Sequence, residues 1–256
     1  NNLRSKMADY KIRTYNNISP IGLSELPKNN YKVEPNLDNP DAVILRSFKL
    51  EDRLVDDTVI AIARAGAGVN NIPLSEMTGR GIVVFNTPGA NANAVKELVL
   101  AGMLLSSRNI IEASGYVTAL NGSDKDLAKL VEDGKKKFQG AELSKKTLGV
   151  IGMGAIGYRV ANLAVELGME VVGYDPAMTV NNAWQVSSDV EQVTNIDEVL
   201  KRSDFVTIHV PLLEATRGLI DQQKLAKMKS YATLLNFSRD AIVDEKALIV
   251  SLDSGK

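Results

Sequence analysis

The sequence contains no cysteine and only one histidine in 256 residues. The lack of cysteine excludes disulfide bonds, thiolate metal ligands and cysteine nucleophiles, and it is compatible with a reducing cytoplasm. No apolar run reaches the roughly 18 residues of a membrane helix, so a membrane partner is not expected. The formal charge of -1, from 30 basic and 31 acidic residues, provides no electrostatic attraction to nucleic acid. We expect a soluble, globular cytoplasmic protein without a metal site, for which a small anionic ligand remains possible.

The sequence does have enough apolar residues for two domains. Hydrophobic residues make up 45% of the chain, and 256 residues exceed the usual length of one domain. Residues 1–6, ahead of Met7, are interpreted as a leader and take no part in the fold prediction. We expect one α/β domain at residues 7–100 and a second at residues 101–256.

Before residue 100, short apolar runs alternate with helical stretches, which is typical of an α/β domain. Ser19 followed by Pro20 predicts the start of a helix. The apolar-periodic stretch Asn93–Leu120 is interpreted as a crossing helix pair, and the polar stretch Asn121–Lys146 as a linker with a solvated helix. Strands are predicted at Lys11–Tyr15, Ala42–Leu45, Val59–Ala63 and Ile82–Phe85.

From Thr147 the alternation becomes more regular and predicts five βα units. Right-handed crossovers between such units give a parallel, doubly wound sheet. The predicted strands are Thr147–Ile151, Glu170–Tyr174, a segment around Val193, Phe205–His209 and Thr233–Asn236. The predicted helices are Ile156–Leu167, Asp197–Arg202, Gln222–Met228 and Glu245–Leu252.

A glycine-rich turn, Gly152–Gly157, lies between a predicted strand and a predicted helix, which is the setting of a dinucleotide-binding turn. Gly152 permits the tight turn, Gly154 lets a pyrophosphate approach the backbone, and Gly157 lets the helix pack on the strand. The next predicted strand is followed by Asp175, whose carboxylate can accept hydrogen bonds from ribose hydroxyls. Since that carboxylate would repel a 2′-phosphate, NAD is favoured over NADP. The alternative is that Asp175 only caps a helix.

Four further segments, spread over nearly the whole chain, carry a recognisable pattern. They are Leu45-Arg46-Ser47, Ala63–Asn71, Asn86–Asn91, and Leu234–Arg239 followed by Ile242–Asp244. Together with the glycine turn, these segments resemble the D-isomer-specific 2-hydroxyacid dehydrogenases, and among them the bacterial D-3-phosphoglycerate dehydrogenases.

The resemblance implies a flavodoxin-like substrate-binding domain at residues 7–100, an NAD-binding Rossmann domain at residues 101–256 and a catalytic cleft with a hinge between them. It implies NAD-dependent oxidation of D-3-phosphoglycerate to 3-phosphohydroxypyruvate, the first step of serine biosynthesis, and a homodimer formed through Asn93–Leu120. The implied catalytic residue is Arg239, which would hold the substrate carboxylate and polarise its carbonyl. The implied substrate-binding residues are Arg46, Ser47, Arg64, Gly66, Ala67, Gly68 and Asn91. The implied cofactor-binding residues are Gly152, Gly154, Ala155, Ile156, Gly157, Asp175, His209, Val210, Pro211, Phe237 and Ser238.

The only histidine, His209, is interpreted as a residue that closes a strand beside the cofactor and not as the general base. In the family, the acid–base histidine and its glutamate lie one strand further on, beyond Lys256. We therefore expect a chain truncated relative to the family, without the sixth strand of the nucleotide domain and the return segment of the first domain. It should bind NAD but be nearly inactive, because acid–base catalysis is typically worth about 10²–10⁴-fold in rate.

Two departures from the family pattern bear on the site. Asp240 could pair with Arg239 and weaken its hold on the substrate, and Ala155 stands where an arginine often places a cation near the pyrophosphate.

Two alternative functions stay open. One is another D-2-hydroxyacid dehydrogenase, such as a glyoxylate or hydroxypyruvate reductase, to be distinguished by whether Arg46 points into the cleft. The other is a non-catalytic, NAD(H)-sensing interaction protein.

Overall fold

The structure, a computed structural model, describes residues 10–255. It divides after Asn91 into two compact units, each built on a five-stranded sheet in which neighbouring strands are parallel. The predicted α/β class, with a parallel, doubly wound sheet in the second domain, is therefore confirmed. The residues interpreted as a leader, and the domain start at Met7, lie outside the described residues.

The first unit contains strands β1 (Tyr10–Tyr15), β2 (Tyr31–Glu34), β3 (Ala42–Leu45), β4 (Ala61–Arg64) and β5 (Val83–Phe85), and helices α1 (Pro20–Ser24) and α2 (Leu74–Gly79). The order across the sheet is β2-β1-β3-β4-β5, which is the flavodoxin-like order. Its core includes the completely buried side chains of Val43, Leu45, Ile62 and Met77. Burial of such apolar side chains contributes about 1.5–3 kcal/mol each to folding.

Strand β2 is the element of this sheet that the sequence does not predict. None of its four residues, YKVE, is fully buried, so it lacks the apolar pattern of an internal strand. It lies at the edge of the sheet and pairs with β1 in the register Tyr10↔Tyr31, where the two rings stack 5.9 Å apart. Pairing with β1, more than its own sequence, defines this strand.

The second unit begins with three helices and continues as the alternating strands and helices that the sequence predicts. The helices are α3 (Ala92–Arg108), α4 (Ile110–Ala119), α5 (Asp124–Gly134), α6 (Gly157–Glu166), α7 (Val180–Ala183), α8 (Ile196–Arg202), α9 (Gln222–Leu225) and α10 (Glu245–Asp253). The strands are β6 (Thr147–Ile151), β7 (Glu170–Tyr174), β8 (Val190–Gln192), β9 (Phe205–Ile208) and β10 (Thr233–Asn236). Strand β8 lies just before Val193, the residue around which it is predicted.

The stretch Asn93–Leu120 forms two helices, α3 and α4, separated by Asn109, whose φ of 48° is left-handed. Asparagine tolerates this conformation better than most residues, so Asn109 ends one helix and starts the next. Helix α3 packs on α6 and on β10 of its own unit. The division after Asn91 therefore falls ahead of the boundary expected near residue 100, and α3 belongs entirely to the second unit.

The second sheet has the order β10-β9-β6-β7-β8, so the chain runs outward from β6 to β8 and then returns to β9 on the other side of β6. Strands β6 and β9 are neighbours, and their last residues, Ile151 and Ile208, are paired. In open α/β sheets, ligands bind outside the carboxyl ends of the strands where the order reverses. The glycine turn follows β6 directly and His209 follows β9, so both are placed at this switch point.

Candidate functional site

The glycine turn has the backbone geometry that a dinucleotide requires. Gly152 has a φ of 93°, a conformation that favours glycine, and its N–H donates to the carbonyl of Tyr174 at 2.8 Å. A Cβ on Gly157 would lie 1.9 Å from the carbonyl oxygen of Gly152, so the start of α6 packs directly on the turn. A Cβ on Gly154 would meet no neighbouring atom of the described chain within 4 Å. Open space above Gly154, at a helix N-terminus, is where a pyrophosphate fits.

Asp175 connects the end of β7 to the glycine turn. Its Oδ2 accepts a hydrogen bond from the backbone N–H of Met153 at 2.8 Å, and its Oδ1 accepts one from the N–H of Ala177 at 2.8 Å. It does not cap α7, because the cap of that helix is Thr179, whose side chain accepts from the N–H of Asn182. Each carboxylate oxygen retains a lone pair, so Asp175 can still accept hydroxyl donors.

His209 closes β9 against β6. Its backbone N–H donates to the carbonyl of Ile151 at 2.8 Å, and its Nε2 lies 2.9 Å from the hydroxyl of Thr207, which is completely buried. Its Nδ1 is buried and has no hydrogen-bond partner within residues 10–255. Burial lowers the pKa of His209 from its ordinary value of 6.5 to about 4. The imidazole is therefore neutral at neutral pH.

The loops that follow β9 and β10 are joined by a hydrogen bond from the hydroxyl of Ser238 to the carbonyl of Val210. The hydroxyl of Thr216 donates to the carbonyl of Pro211 at 2.6 Å and fixes the first loop further. Phe237 is exposed, and a Cβ on Gly102 of α3 would lie 3.4 Å from the tip of its ring. The predicted cofactor residues after these two strands therefore form one connected cluster.

Arg239 is exposed and follows this cluster. Its Nη1 donates to the carbonyl of Ser238 at 2.8 Å, and its own carbonyl accepts from Nδ2 of Asn236 at 2.8 Å. Asp240 accepts from the N–H of Ala241 at 2.7 Å, and no ion pair within the described chain joins Asp240 to Arg239. The anticipated pairing of these two residues is therefore wrong, because the carboxylate binds its own turn. The Arg239 guanidinium keeps donors for a carboxylate ligand.

In the first unit, the carboxyl ends of β3 and β4 meet at the carbonyl of Arg46. That oxygen accepts from Nε of Arg64 at 3.0 Å and from Nδ2 of Asn71 at 3.1 Å. Asn71 Nδ2 also donates to the carbonyl of Phe48 at 2.7 Å, while its Oδ1 is buried without a partner among residues 10–255. The sequence does not single out Asn71, because it contacts residues far from it in the chain. Arg46 and Ser47 are exposed beside this cluster.

The loop after β4 is held against the loop after β5. Gly66 has a φ of 155°, and a Cβ there would lie 1.9 Å from Nη1 of Arg64, so the guanidinium packs on the loop backbone. Asn86 donates from Nδ2 to the carbonyl of Ala67 at 2.6 Å, and the N–H of Thr87 donates to the carbonyl of Gly66 at 3.0 Å. Gly68 is part of the same loop and is half-buried. The loop from Arg64 to Gly68 is thus fixed on two sides.

Asn91 is exposed at the end of the first unit, where its side chain makes no hydrogen bond to residues 10–255. A cavity of about 790 Å³ lies along β10, and none of the predicted site residues lines it. Its lining includes Leu225, Met228, Leu234, Val243 and Leu248.

Within the described chain, no cluster of three or more His, Asp or Glu side chains could hold a metal ion. No helix in that part of the chain is long and apolar enough to cross a membrane.

Residues 100–256 match the family model described as D-isomer specific 2-hydroxyacid dehydrogenase, NAD binding domain. The D-3-phosphoglycerate dehydrogenase of Methanocaldococcus jannaschii is 42% identical over 195 residues, which are 76% of this chain and 35% of that protein. The hydroxypyruvate reductase of Thermotoga maritima is 40% identical over 195 residues, which are 76% of this chain and 58% of that protein.

Among solved structures, the chain is similar to the NAD⁺-bound 3-phosphoglycerate dehydrogenase of Entamoeba histolytica, with a TM-score of 0.74 and 28% identity. That match covers 96% of this chain and 78% of the other. The chain spans 35% to 58% of the length of the two curated relatives named above. Because the family model matches well over half of the chain, the protein belongs to the D-isomer-specific 2-hydroxyacid dehydrogenases, and residues 100–256 form the NAD-binding domain of that family.

Proposed function

We propose that the chain is part of an NAD-dependent dehydrogenase that oxidises D-3-phosphoglycerate to 3-phosphohydroxypyruvate, the first step of serine biosynthesis. The observation that carries the choice of substrate is the exposed guanidinium of Arg46, at the carboxyl end of β3. Its backbone carbonyl is held by Arg64 and Asn71, while its side chain forms no hydrogen bond or ion pair with residues 10–255. An anchored, permanently charged and unpaired guanidinium is suited to a phosphate. Ser47 and Asn91, both exposed, would add neutral donors.

NAD, when bound, supplies the acceptor for the hydride that leaves C2 of the substrate. The chain's own residues would hold and orient it. The turn from Gly152 to Gly157 offers backbone N–H groups and open space to the pyrophosphate, and Asp175 offers a carboxylate to the adenosine ribose. Further contacts would come from the loops after β9 and β10, through Pro211 and Phe237 among others.

Arg239 would bind the substrate carboxylate and polarise the neighbouring C2 oxygen. A guanidinium can donate two parallel hydrogen bonds to a carboxylate, and no acidic side chain of the described chain competes for it. The backbone N–H groups of the loop from Arg64 to Gly68 would assist. In this proposal Arg46 would recognise the phosphate and Arg239 the carboxylate.

A polypeptide of these 256 residues alone would bind NAD but turn over its substrate very slowly. Its only histidine is His209, whose pKa is lowered to about 4 by burial, so it is not protonated near neutral pH. A proton acceptor or donor works best when its pKa is near the working pH. His209 would therefore shape the site without transferring the proton.

We also propose that the protein is located in the cytoplasm.

The protein would be a homodimer through α3 and α4. These helices expose apolar side chains, among them Leu98 at 56%, Ile111 at 65% and Val117 at 54%. Apolar area of this kind usually marks an interaction surface. Changing Ile111 to Glu should shift the dimer towards monomer in analytical ultracentrifugation. Changing Ile60, equally exposed at 65% but in the first unit, to Glu should not.

A second candidate is reduction of hydroxypyruvate or a related unphosphorylated 2-keto acid, which the Thermotoga maritima relative favours. Calorimetry with the NADH-loaded chain separates the two. We expect 3-phosphohydroxypyruvate to bind about 10-fold or more tightly than hydroxypyruvate, and Arg46→Gln to remove the difference. Equal affinities in the unaltered protein would favour the second candidate. A chain that binds NADH but neither acid would instead be an NAD(H) sensor.

A further inference from the structure

A cation lies beside the glycine turn, although the turn itself has no charged residue. Ala155, inside the turn, has no charge to offer a pyrophosphate. Arg159 lies in the first turn of α6, and its Nη1 donates to the backbone carbonyl of Ala155. Side chains on a helix lean towards its N-terminus, so this reach towards the turn follows from the helical geometry.

Two contacts fix the guanidinium of Arg159 in this place. One is the hydrogen bond to Ala155, and the other is the ring of Tyr158, whose centroid is 4.6 Å from the guanidinium carbon. Tyr158 packs in turn against a hydrophobic core cluster of the second unit, which supports the stacked pair. The guanidinium is therefore held at the amino-terminal end of α6 in a defined position.

The charge of Arg159 is uncompensated in the part of the chain that the structure describes. None of the ion pairs among residues 10–255 involves it. Asp175 directs its oxygens to the N–H groups of Met153 and Ala177. The helix N-terminus adds its own partial positive charge of about half a unit. The guanidinium of Arg159 and the amino-terminal end of α6 are thus two sources of positive charge at the turn, the first of them in contact with Ala155, the residue after Gly154.

We propose that Arg159 is a pyrophosphate-binding residue of the cofactor site and supplies from α6 the cation that Ala155 cannot. This rests on the proposed binding of NAD at the glycine turn and adds to it a specific side chain. The ligand chemistry is a diphosphate, and the nucleoside at either end contributes nothing to this contact. The affinity of ligands without phosphate should therefore not change when Arg159 is substituted.

The test compares NAD, ADP-ribose and adenosine as ligands of the purified chain, by calorimetry and ligand-observed NMR. Arg159→Gln should weaken NAD and ADP-ribose about 10-fold and leave adenosine unchanged, and Arg159→Lys should recover most of the loss. Added salt should weaken NAD binding less in Arg159→Gln than in the unaltered protein, because one charge contact is gone. Arg202→Gln is the matched control and should change no affinity, because Arg202 lies on α8 and is paired with Glu191 of β8.

An equal loss for adenosine and NAD would overturn the proposal, since Arg159 would then act only through the shape of the turn. Unchanged NAD affinity in Arg159→Gln would overturn it as well. If the unaltered chain bound neither NAD nor ADP-ribose, the proposed cofactor site itself would be wrong. This result is distinct from a failure of the Arg159 proposal, which would appear only in the variants. The melting temperature without ligand shows whether a variant has lost fold stability.

Discussion

Asp175 and Met153 are joined by a hydrogen bond of 2.8 Å, from the backbone N–H of the glycine turn to the carboxylate at the end of β7. The residue expected to select the cofactor therefore also shapes the turn that receives it. Asp175→Asn should weaken NAD binding about 10-fold and raise the affinity for NADP relative to NAD. Calorimetry with both cofactors checks this. Asp189→Asn, at an exposed position after α7, is the control, and an unchanged NADP-to-NAD ratio would contradict the assignment.

Two glycines of the turn should respond differently to the same substitution. Gly157→Ala would place a Cβ 1.9 Å from the carbonyl of Gly152, so we expect a loss of about 1–3 kcal/mol in the free energy of unfolding. Gly154→Ala meets open space and should unfold like the unaltered protein, yet lose the thermal stabilisation that NAD gives. Thermal melts with and without NAD measure both. Full NAD stabilisation of Gly154→Ala would exclude a pyrophosphate above this residue.

His209 should make the protein less stable as the pH falls. Its folded-state pKa of about 4 lies below the ordinary value of 6.5, so the unfolded chain takes up a proton first. The stability is fully present above about pH 6.5 and decreases towards pH 4, by up to about 3 kcal/mol. Urea unfolding at about pH 7 and about pH 5 should show a smaller decrease for His209→Gln than for the unaltered protein. Equal decreases would show that His209 does not titrate in this range.

Arg239 should act on the substrate and not on the cofactor. Arg239→Gln should weaken binding of 3-phosphohydroxypyruvate to the NADH-loaded chain about 10- to 100-fold, with NAD affinity unchanged. Asp240→Gly should leave both affinities unchanged, because that carboxylate binds the N–H of Ala241 and not Arg239. Calorimetry measures both variants. A large gain in substrate affinity from Asp240→Gly would mean that the two side chains pair in solution.

Asn71 is predicted to stabilise the loop after β3, which contains Arg46, the proposed phosphate-binding residue. Asn71→Ala removes two hydrogen bonds, to the carbonyls of Arg46 and Phe48, and should cost about 1–3 kcal/mol of unfolding free energy. Chemical denaturation measures this loss. Asn30→Ala, at an exposed turn before β2, is the control. A variant as stable as the unaltered protein would show that the two contacts do not hold this loop.

The sequence predicts the second sheet more accurately than the first, for physical reasons. Strands β6 and β7 are predicted to the residue, because both are short apolar runs that are buried on two faces. Strand β2 is missed, because none of its side chains is fully buried and only its pairing with β1 makes it a strand. Local sequence patterns predict buried strands well, but they predict the pairing of edge strands poorly.

The same limit applies to the site. The glycine turn and Asp175 can be recognised because their spacing is local and fixed by the strand and helix that flank them. The contacts of Arg46 with Arg64 and Asn71 cannot, since they join residues that only the folded sheet brings together. Arg159 escapes notice for another reason, because a helical arginine usually faces solvent.

The reversal of strand order between β6 and β9 also determines when the cofactor site can exist during folding. The two strands are neighbours, yet the hydrogen bond from Thr147 to Asp204 at their amino ends connects residues 57 positions apart. Loops of this size close slowly, and no shorter piece of the chain contains both sides of the crevice. NAD can therefore bind only after β7, β8 and the return to β9 have assembled. Cofactor binding then reports the assembly of β6 to β9, and rising NAD concentrations should slow unfolding of the sheet without speeding the first steps of its folding.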